Sequence, residues 1–357
     1  MKTFGEISMK KSLLALAALA AISGAAQAQS NVTIYGVLDM AIQNENNGAA
    51  AGAKTALDSG IQSGSRLGFK GTEDLGGGLK AIFKLEMGVN ADNGASAQGG
   101  LAFGRQAFVG LTGDFGSVTL GRQMKPLFVA VDNIDPFSTG ITSGAAGVGT
   151  SGYGLAAFYV PTNPRANNTA VYTTNDLSGF TGSASYTFGE VAGDTSNSRQ
   201  VSLAGAYAAG PLYVTAVYNK ENNILGATST PAVSAKTVFL AGTYDFGVAK
   251  AVAAYGKTTV DALSSSTDVK AWTLGATVPV TAADAIMGTY TRMTNDAATA
   301  NKGSQFALGY THSLSKRTNL FASISRTAND ANSNAGGLAA GNGLTDRLVN
   351  AGIRHLF

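Results

Sequence analysis

The chain has no cysteine in 357 residues. That excludes disulfides, a thiol nucleophile and any thiolate-held metal. Its two histidines, His312 and His355, are too few for a histidine-based metal site, so no metal or other cofactor is expected. Charged residues make up 13% of the chain, about half the ~25% usual for soluble domains. There are 7 prolines and one tryptophan. Beyond the N-terminal segment no run approaches 18 apolar residues, which excludes a membrane-spanning helix. The net charge of +3, without a clustered basic face, argues against a nucleic-acid partner.

The N-terminus carries an export signal. Met9-Lys10-Lys11 is a basic start, residues 13–22 are uniformly apolar, and Ala26-Gln27-Ala28 is a small-x-small cleavage pattern. Residues 1–28 therefore read as a signal peptide, too short to span a bilayer, which needs about 20 apolar residues. Lys2, Lys10, Lys11 and Glu6 leave with it, and the net charge falls to +1. Residues 29–357 read as one domain, because no linker or shift of composition divides them.

The remaining composition is 46 glycines and aromatics that lean to Tyr and Phe. It is arranged with a period of two. Val32, Ile34, Leu38 and Met40 alternate with Thr33, Tyr35 and Asp39. Phe306, Leu308 and Tyr310 alternate with Gln305, Ala307 and Gly309. Val349, Ala351, Ile353 and Phe357 share one face at the end. Small polar residues opposite apolar ones suit a strand between two different solvents. Short turns are expected near 73–78, 113–115, 176–179, 209–211, 245–247, 279–284 and 314–317. Long polar loops are expected near 43–60, 90–101, 124–164, 189–198, 220–234, 258–268, 294–302 and 329–344. Fifteen connections make sixteen strands, with both termini on the short-turn side. Segregation of loops by length marks an all-β, 16-stranded antiparallel transmembrane barrel rather than a soluble sandwich.

Two enzyme-like patterns lack their context. Residues 147–152 match G-x-G-x-x-G, but no strand-to-helix junction surrounds them. Ser313-Leu314-Ser315-Lys316 matches S-x-x-K inside an expected turn. No base is placed to activate a serine, and His355 has the parity of a membrane rim. The chain is not expected to be an enzyme.

Strand parity sorts the charges. Leu67 and Phe69 face lipid, so Arg66 and Lys70 face the lumen. Lys80, Lys84 and Glu86 oppose Ala81, Phe83 and Leu85. Arg165 shares parity with Asn167 and Thr169. Arg122 is a further lumen candidate, but its parity with Val118 and Leu120 points outward unless Gly121 sits at a bulge.

Several segments resemble the trimeric sixteen-stranded general porins of Gram-negative outer membranes. Val32-Thr33-Ile34-Tyr35-Gly36-Val37-Leu38-Asp39 resembles their first strand. Ser65-Arg66-Leu67-Gly68-Phe69-Lys70-Gly71-Thr72-Glu73-Asp74-Leu75-Gly76-Gly77-Gly78-Leu79-Lys80-Ala81 resembles the second strand, first turn and third strand, and is the most specific match. Residues 105–111, 116–123, 165–172, 314–318 and 352–357 resemble later strands and the terminus. The resemblance implies an inward-folded third loop and an inward Arg105. It also implies a homotrimer, outer-membrane lipid and lipopolysaccharide as surroundings, and barrel-assembly machinery that reads the terminal Phe357. Gly- and Ala-rich strands at 201–209 and 249–254 are candidates for the trimer interface. Where many relatives carry Pro-Glu-Phe-Gly at the loop tip, this chain has Asp135-Pro136-Phe137-Ser138.

The expected function is a passive outer-membrane channel for ions and small hydrophilic solutes. Arg66, Arg105 and Arg165 form the basic side of its constriction, and Asp132 and Asp135 the acidic side on the third loop. Lumen cations outnumber anions, so a preference for anions is expected. A substrate-selective channel on the same fold is the alternative.

Overall fold

The computed structural model describes residues 31–140, 154–226, 232–297, 299 and 301–357. The signal-peptide segment and the Gly-rich motif at 147–152 lie outside them. No described helix is long and apolar enough to cross a membrane; the chain crosses with strands.

Sixteen wall strands follow each other around a closed antiparallel sheet. They are β1 (Asn31–Asn46), β2 in two pieces (Lys54–Ser59 and Arg66–Gly76), β3 (Leu79–Asn90), β4 (Gln106–Gly113), β5 (Gly116–Met124), β6 (Arg165–Thr173), β7 (Phe180–Thr187), β8 (Gln200–Ala209), β9 (Leu212–Glu221), β10 (Ser234–Asp245), β11 (Lys250–Ala262), β12 (Ser265–Pro279), β13 (Asp284–Asn295), β14 (Lys302–Ser313), β15 (Thr318–Asn329) and β16 (Asp346–Leu356). A two-residue strand, Ala95–Ser96, folds back on the end of β3. β1 pairs with β16 from Val37↔Leu356 to Asn46↔Arg347, and this seam closes the wall. Past it, Phe357 exchanges two backbone hydrogen bonds with Gly36, at 3.0 and 3.1 Å. The Phe357 ring lies against Gly36 so closely that a Cβ there would sit 2.2 Å from Cζ.

Closure is what a membrane demands, because each wall strand then has a neighbour on both sides and no edge is left. The period-two pattern supplies the rest. Along β9, Val214, Ala216 and Tyr218 point out while Thr215, Val217, Asn219 and Glu221 point in and are buried. Along β14, Phe306, Leu308 and Tyr310 point out and Gln305 and Ala307 point in. Exposed Val, Leu, Ile and aromatic side chains on the outer face form the lipid-facing band.

The seven short turns fall where the sequence places them. The long-loop side needs two corrections. Residues 258–268 are not a loop: β11 and β12 extend outward and join through two residues, 263–264. Residues 43–60 are mostly strand as well, with only 47–53 between β1 and the first piece of β2. Alternation continues beyond the membrane there, in polar residues that read as loop. The break in β2, residues 60–65, turns into the lumen. Asp39 holds it by accepting the Ile61 and Ser63 amides at 3.0 and 2.8 Å.

The third loop folds inward, as the resemblance implied. It carries α1 (Pro126–Ile134) and α2 (Ala156–Tyr159). Leu127, Phe128, Val131, Ile134, Leu155 and Tyr159 pack on Val217, Phe239, Ala241 and Ala254 of the inner wall. Gly256 makes room for Tyr159, whose ring would lie 2.6 Å from a Cβ there. Phe137 at the loop tip packs with Ala41, Met287, Ala307 and Phe321. The loop thus touches β9–β11 with its helices and β1 and β13–β15 with its tip. The apolar core of this molecule is the loop's seat, not the inside of the wall.

Candidate pore constriction

Between the third loop and the wall from β1 to β3 lies a cavity of about 660 Å³. Four arginines line it: Arg66, Arg105, Arg165 and Arg354. Asp58, Asp92 and Asp132 line it as well.

Arg66 opens the second piece of β2 and pairs with the inward Val37; its guanidinium donates to Ser63 Oγ at 2.9 Å. Arg105, 6% exposed, lies just before β4. Its Nε donates to Glu86 Oε1 at 2.8 Å, and its guanidinium passes over Gly64, where a Cβ would meet it at 2.7 Å. Glu86 is a hub: it also takes the Tyr35 hydroxyl at 2.7 Å and lies 3.4 Å from Lys84 Nζ. Lys70 and Lys84 stand 5.5 and 5.6 Å from the Tyr35 ring, on the lumen face, in cation–π range. Lys80 keeps the parity of Lys84 but is exposed at the short-turn end.

Arg165 reaches the cavity by another route than simple alternation. β6 carries an extra residue opposite Gly121–Gln123, with Asn168 at φ +52°, so parity with Thr169 does not place Arg165. It lies where the wall turns inward, paired with Met124, which lines the same cavity.

Two expected site residues are elsewhere. Arg122 is not in the lumen. It pairs with Ala107 next to the outward pair Leu120 and Val109, and the bulge falls on β6, so nothing flips it. Its Nε donates to the Gly104 carbonyl at 2.8 Å and its Nη1 to Asn167. Asp135 does not face the arginines. It is buried at the loop tip and accepts the amides of Phe137, Thr139 and Leu155 at 2.9, 3.1 and 3.1 Å. Burial pushes its carboxyl from 3.8 up to about 6, against the lowering effect of those amides. The acidic wall of the cavity is Asp132 on α1, held by the Thr139 hydroxyl at 2.8 Å, with Asp58 and Asp92.

Two features escaped the sequence reading. Arg354 had a usable signal: with Ile353 and Phe357 outward, it must face in. Its Nε donates to Asn319 at 3.0 Å. The pair Lys125–Glu221 had none, as 96 residues separate its members. Lys125 Nζ lies 2.8 Å from Glu221 Oε2, with side chains 4% and 1% exposed. Thr162 bonds to both. Burial pushes the Lys125 ammonium down, and Glu221 opposes that shift. The start of the third loop, its end and the wall thus meet at one buried point. Among the described residues no group of three His, Cys, Asp or Glu side chains is placed to hold a metal.

The sequence and the fold are similar to those of known outer-membrane proteins. A family model described as Gram-negative porin matches residues 15–332. The chain is 35% identical to outer membrane porin protein 32 of Delftia acidovorans, over 98% of this chain and 100% of that one. It is 33% identical to an outer membrane porin of Bordetella pertussis, with the same coverages. Among solved structures, an anion-selective porin from Comamonas acidovorans superposes with a TM-score of 0.79 at 32% identity, covering 92% of this chain and 100% of that one. A trimeric form of OmpT from Vibrio cholerae shares the fold at 18% identity, with a TM-score of 0.67, covering 92% of this chain and 99% of that one.

Proposed function

Because this chain belongs to the Gram-negative porin family, we propose that its arginine-lined cavity makes it an anion-preferring member. The channel itself is a passive outer-membrane pore. The observation that carries the preference is four arginines on one cavity, one of them already balanced by Glu86 and all opposed by a few aspartates. Fixed charge beside a low-dielectric wall acts strongly on ions in a narrow lumen. The anion selectivity of the similar Comamonas porin supports the same reading. The test is the zero-current potential across a bilayer under a potassium chloride gradient. An anion-selective wild type is expected, with Arg66→Gln, Arg105→Gln and Arg165→Gln each moving the potential toward zero. A cation-selective wild type, or three silent substitutions, overturns it.

We further propose that the mature chain begins at Gln29 and works as a homotrimer. The outer wall supports the trimer: a depression of about 670 Å³ over β1 and β13–β16 sits above Ala322 and Ala351, between Ile42, Ile286, Ile324 and Val349. Small residues flanked by branched ones let a second wall approach closely. This face competes with strands 201–209 and 249–254 as the contact surface. N-terminal sequencing of the mature protein and its mass by light scattering in mild detergent are the checks.

A further inference from the structure

A second basic pocket lies below the constriction. It is a cavity of about 140 Å³ on the inner face of β14–β16, closed by the turn at residues 314–317. Lys316, Arg317 and Arg354 line it, with hydroxyls from Thr311, Ser313 and Ser315. No carboxylate of the described residues lines it; the nearest acidic partner is Asp39, in register with Arg354, so the three cations are only partly balanced. The turn belongs to the short-turn end of the barrel, which faces the periplasm. A partition separates this pocket from the constriction: Asn319 Nδ2 donates to Gln62 Oε1 at 2.8 Å, and Arg354 Nε donates to Asn319 Oδ1 at 3.0 Å. Gln62 and Arg354 line both cavities. Arg354 pairs in register with Asp39, whose carboxylate is already committed to the amides of Ile61 and Ser63.

We propose that this pocket is a second anion subsite at the periplasmic mouth, suited to a small oxyanion such as inorganic phosphate, and that Arg354 joins it to the constriction. The proposal rests on the anion-preferring reading above. Ammonium and guanidinium groups supply charge, the guanidinium supplies paired donors, and the hydroxyls add neutral donors. The volume is that of one small oxyanion. A solute held here sits against Arg354, which also lines the constriction cavity, so its residence slows chloride passing that arginine. The site therefore makes the channel sensitive to oxyanions in a way that constriction charge alone does not.

The experiment is chloride conductance of the purified protein in a planar bilayer, titrated with inorganic phosphate. Phosphate is expected to lower the conductance of the wild type in a saturable way. In Lys316→Gln/Arg317→Gln the half-blocking concentration rises about tenfold, as expected for removing two unit charges at the edge of a hydrated lumen. The zero-current potential in potassium chloride keeps its sign, because the four constriction arginines remain. Both substituted side chains sit on an exposed turn. If the double variant nevertheless yields no channels, Lys316→Gln alone must shift the block about threefold. An anion-preferring wild type that ignores phosphate, or a variant blocked at the wild-type concentration, overturns the subsite. A wild type without anion preference overturns the underlying reading instead, and the two failures are distinguishable in the same recordings.

Discussion

Lys125→Met tests whether the third loop is clamped by its buried charge. Methionine keeps the length of the side chain but leaves Glu221, 1% exposed, without the ammonium that lies 2.8 Å away. Removing one partner of a buried pair costs about 3–5 kcal/mol, because the remaining charge is uncompensated. Glu221 lies on the wall and cannot leave; it regains water only if the loop lifts. Against lifting stand Leu127, Phe128, Val131 and Ile134, each stabilising the seat by about 1.5–3 kcal/mol of burial. That total, about 6–12 kcal/mol, exceeds the penalty, so the loop stays docked in most molecules. The lifted population nevertheless rises about 10²–10⁴-fold, at 1.4 kcal/mol per tenfold. In single-channel recordings this means frequent transitions between conductance levels where the wild type is quiet. Adding Glu221→Gln to the same chain removes the stranded charge and quiets the channel again. A Lys125→Met channel as steady as wild type, at the same conductance, refutes the clamp. So does a double variant no steadier than the single one.

Glu86→Gln removes the carboxylate beside Arg105 and Lys84; taking an ion to pass at ~8 Å, one charge is worth ~2 kcal/mol at an effective dielectric of 20, about halved at 0.1 M salt, and it acts with opposite sign on the two ions, so the anion-to-cation ratio rises about 25-fold. The zero-current potential reads this shift, and it fades at 1 M. Asp135 gives the loop tip a pH dependence: its carboxyl is raised from 3.8 to about 6, so its stabilisation is full below about pH 4 and is lost as pH rises through 6. Hydrogen exchange at the Phe137, Thr139 and Leu155 amides, corrected for intrinsic rates, should therefore speed up across that window, and Asp135→Asn should flatten the trend. Deleting Phe357 removes two backbone bonds and a ring from the β1–β16 seam; quantitative blotting of membrane fractions should find the protein depleted from the outer membrane, and wild-type levels would contradict an assembly role for this residue.

Much of the barrel was legible in the chain because its causes are local. A strand between lipid and water must alternate, so Val214 and Tyr218 face out and Thr215 and Asn219 face in without knowledge of any neighbour. Arg66, Lys70, Lys84 and Glu86 were placed by the same parity, and Arg354 was readable from Ile353 and Phe357. Short turns were legible because Gly and Asp residues interrupt the alternation. What parity cannot see is a change of register. Arg165 depends on an extra residue in β6, and residues 258–268 continue as strand because their partners extend equally far, a property of the pair rather than of either segment.

The remaining decisions are made by contacts between distant parts of the chain. Gln62 meets Asn319 across 257 positions and Lys125 meets Glu221 across 96. Asp135 reads as one more loop acid, yet the amides of Phe137, Thr139 and Leu155 draw it into the tip and away from the pore. Alternation determines which side of the wall a residue is on, since that follows from backbone geometry alone. Which charges meet inside the lumen depends on how the third loop and residues 60–65 fill it, and that is settled only once the wall has closed around them.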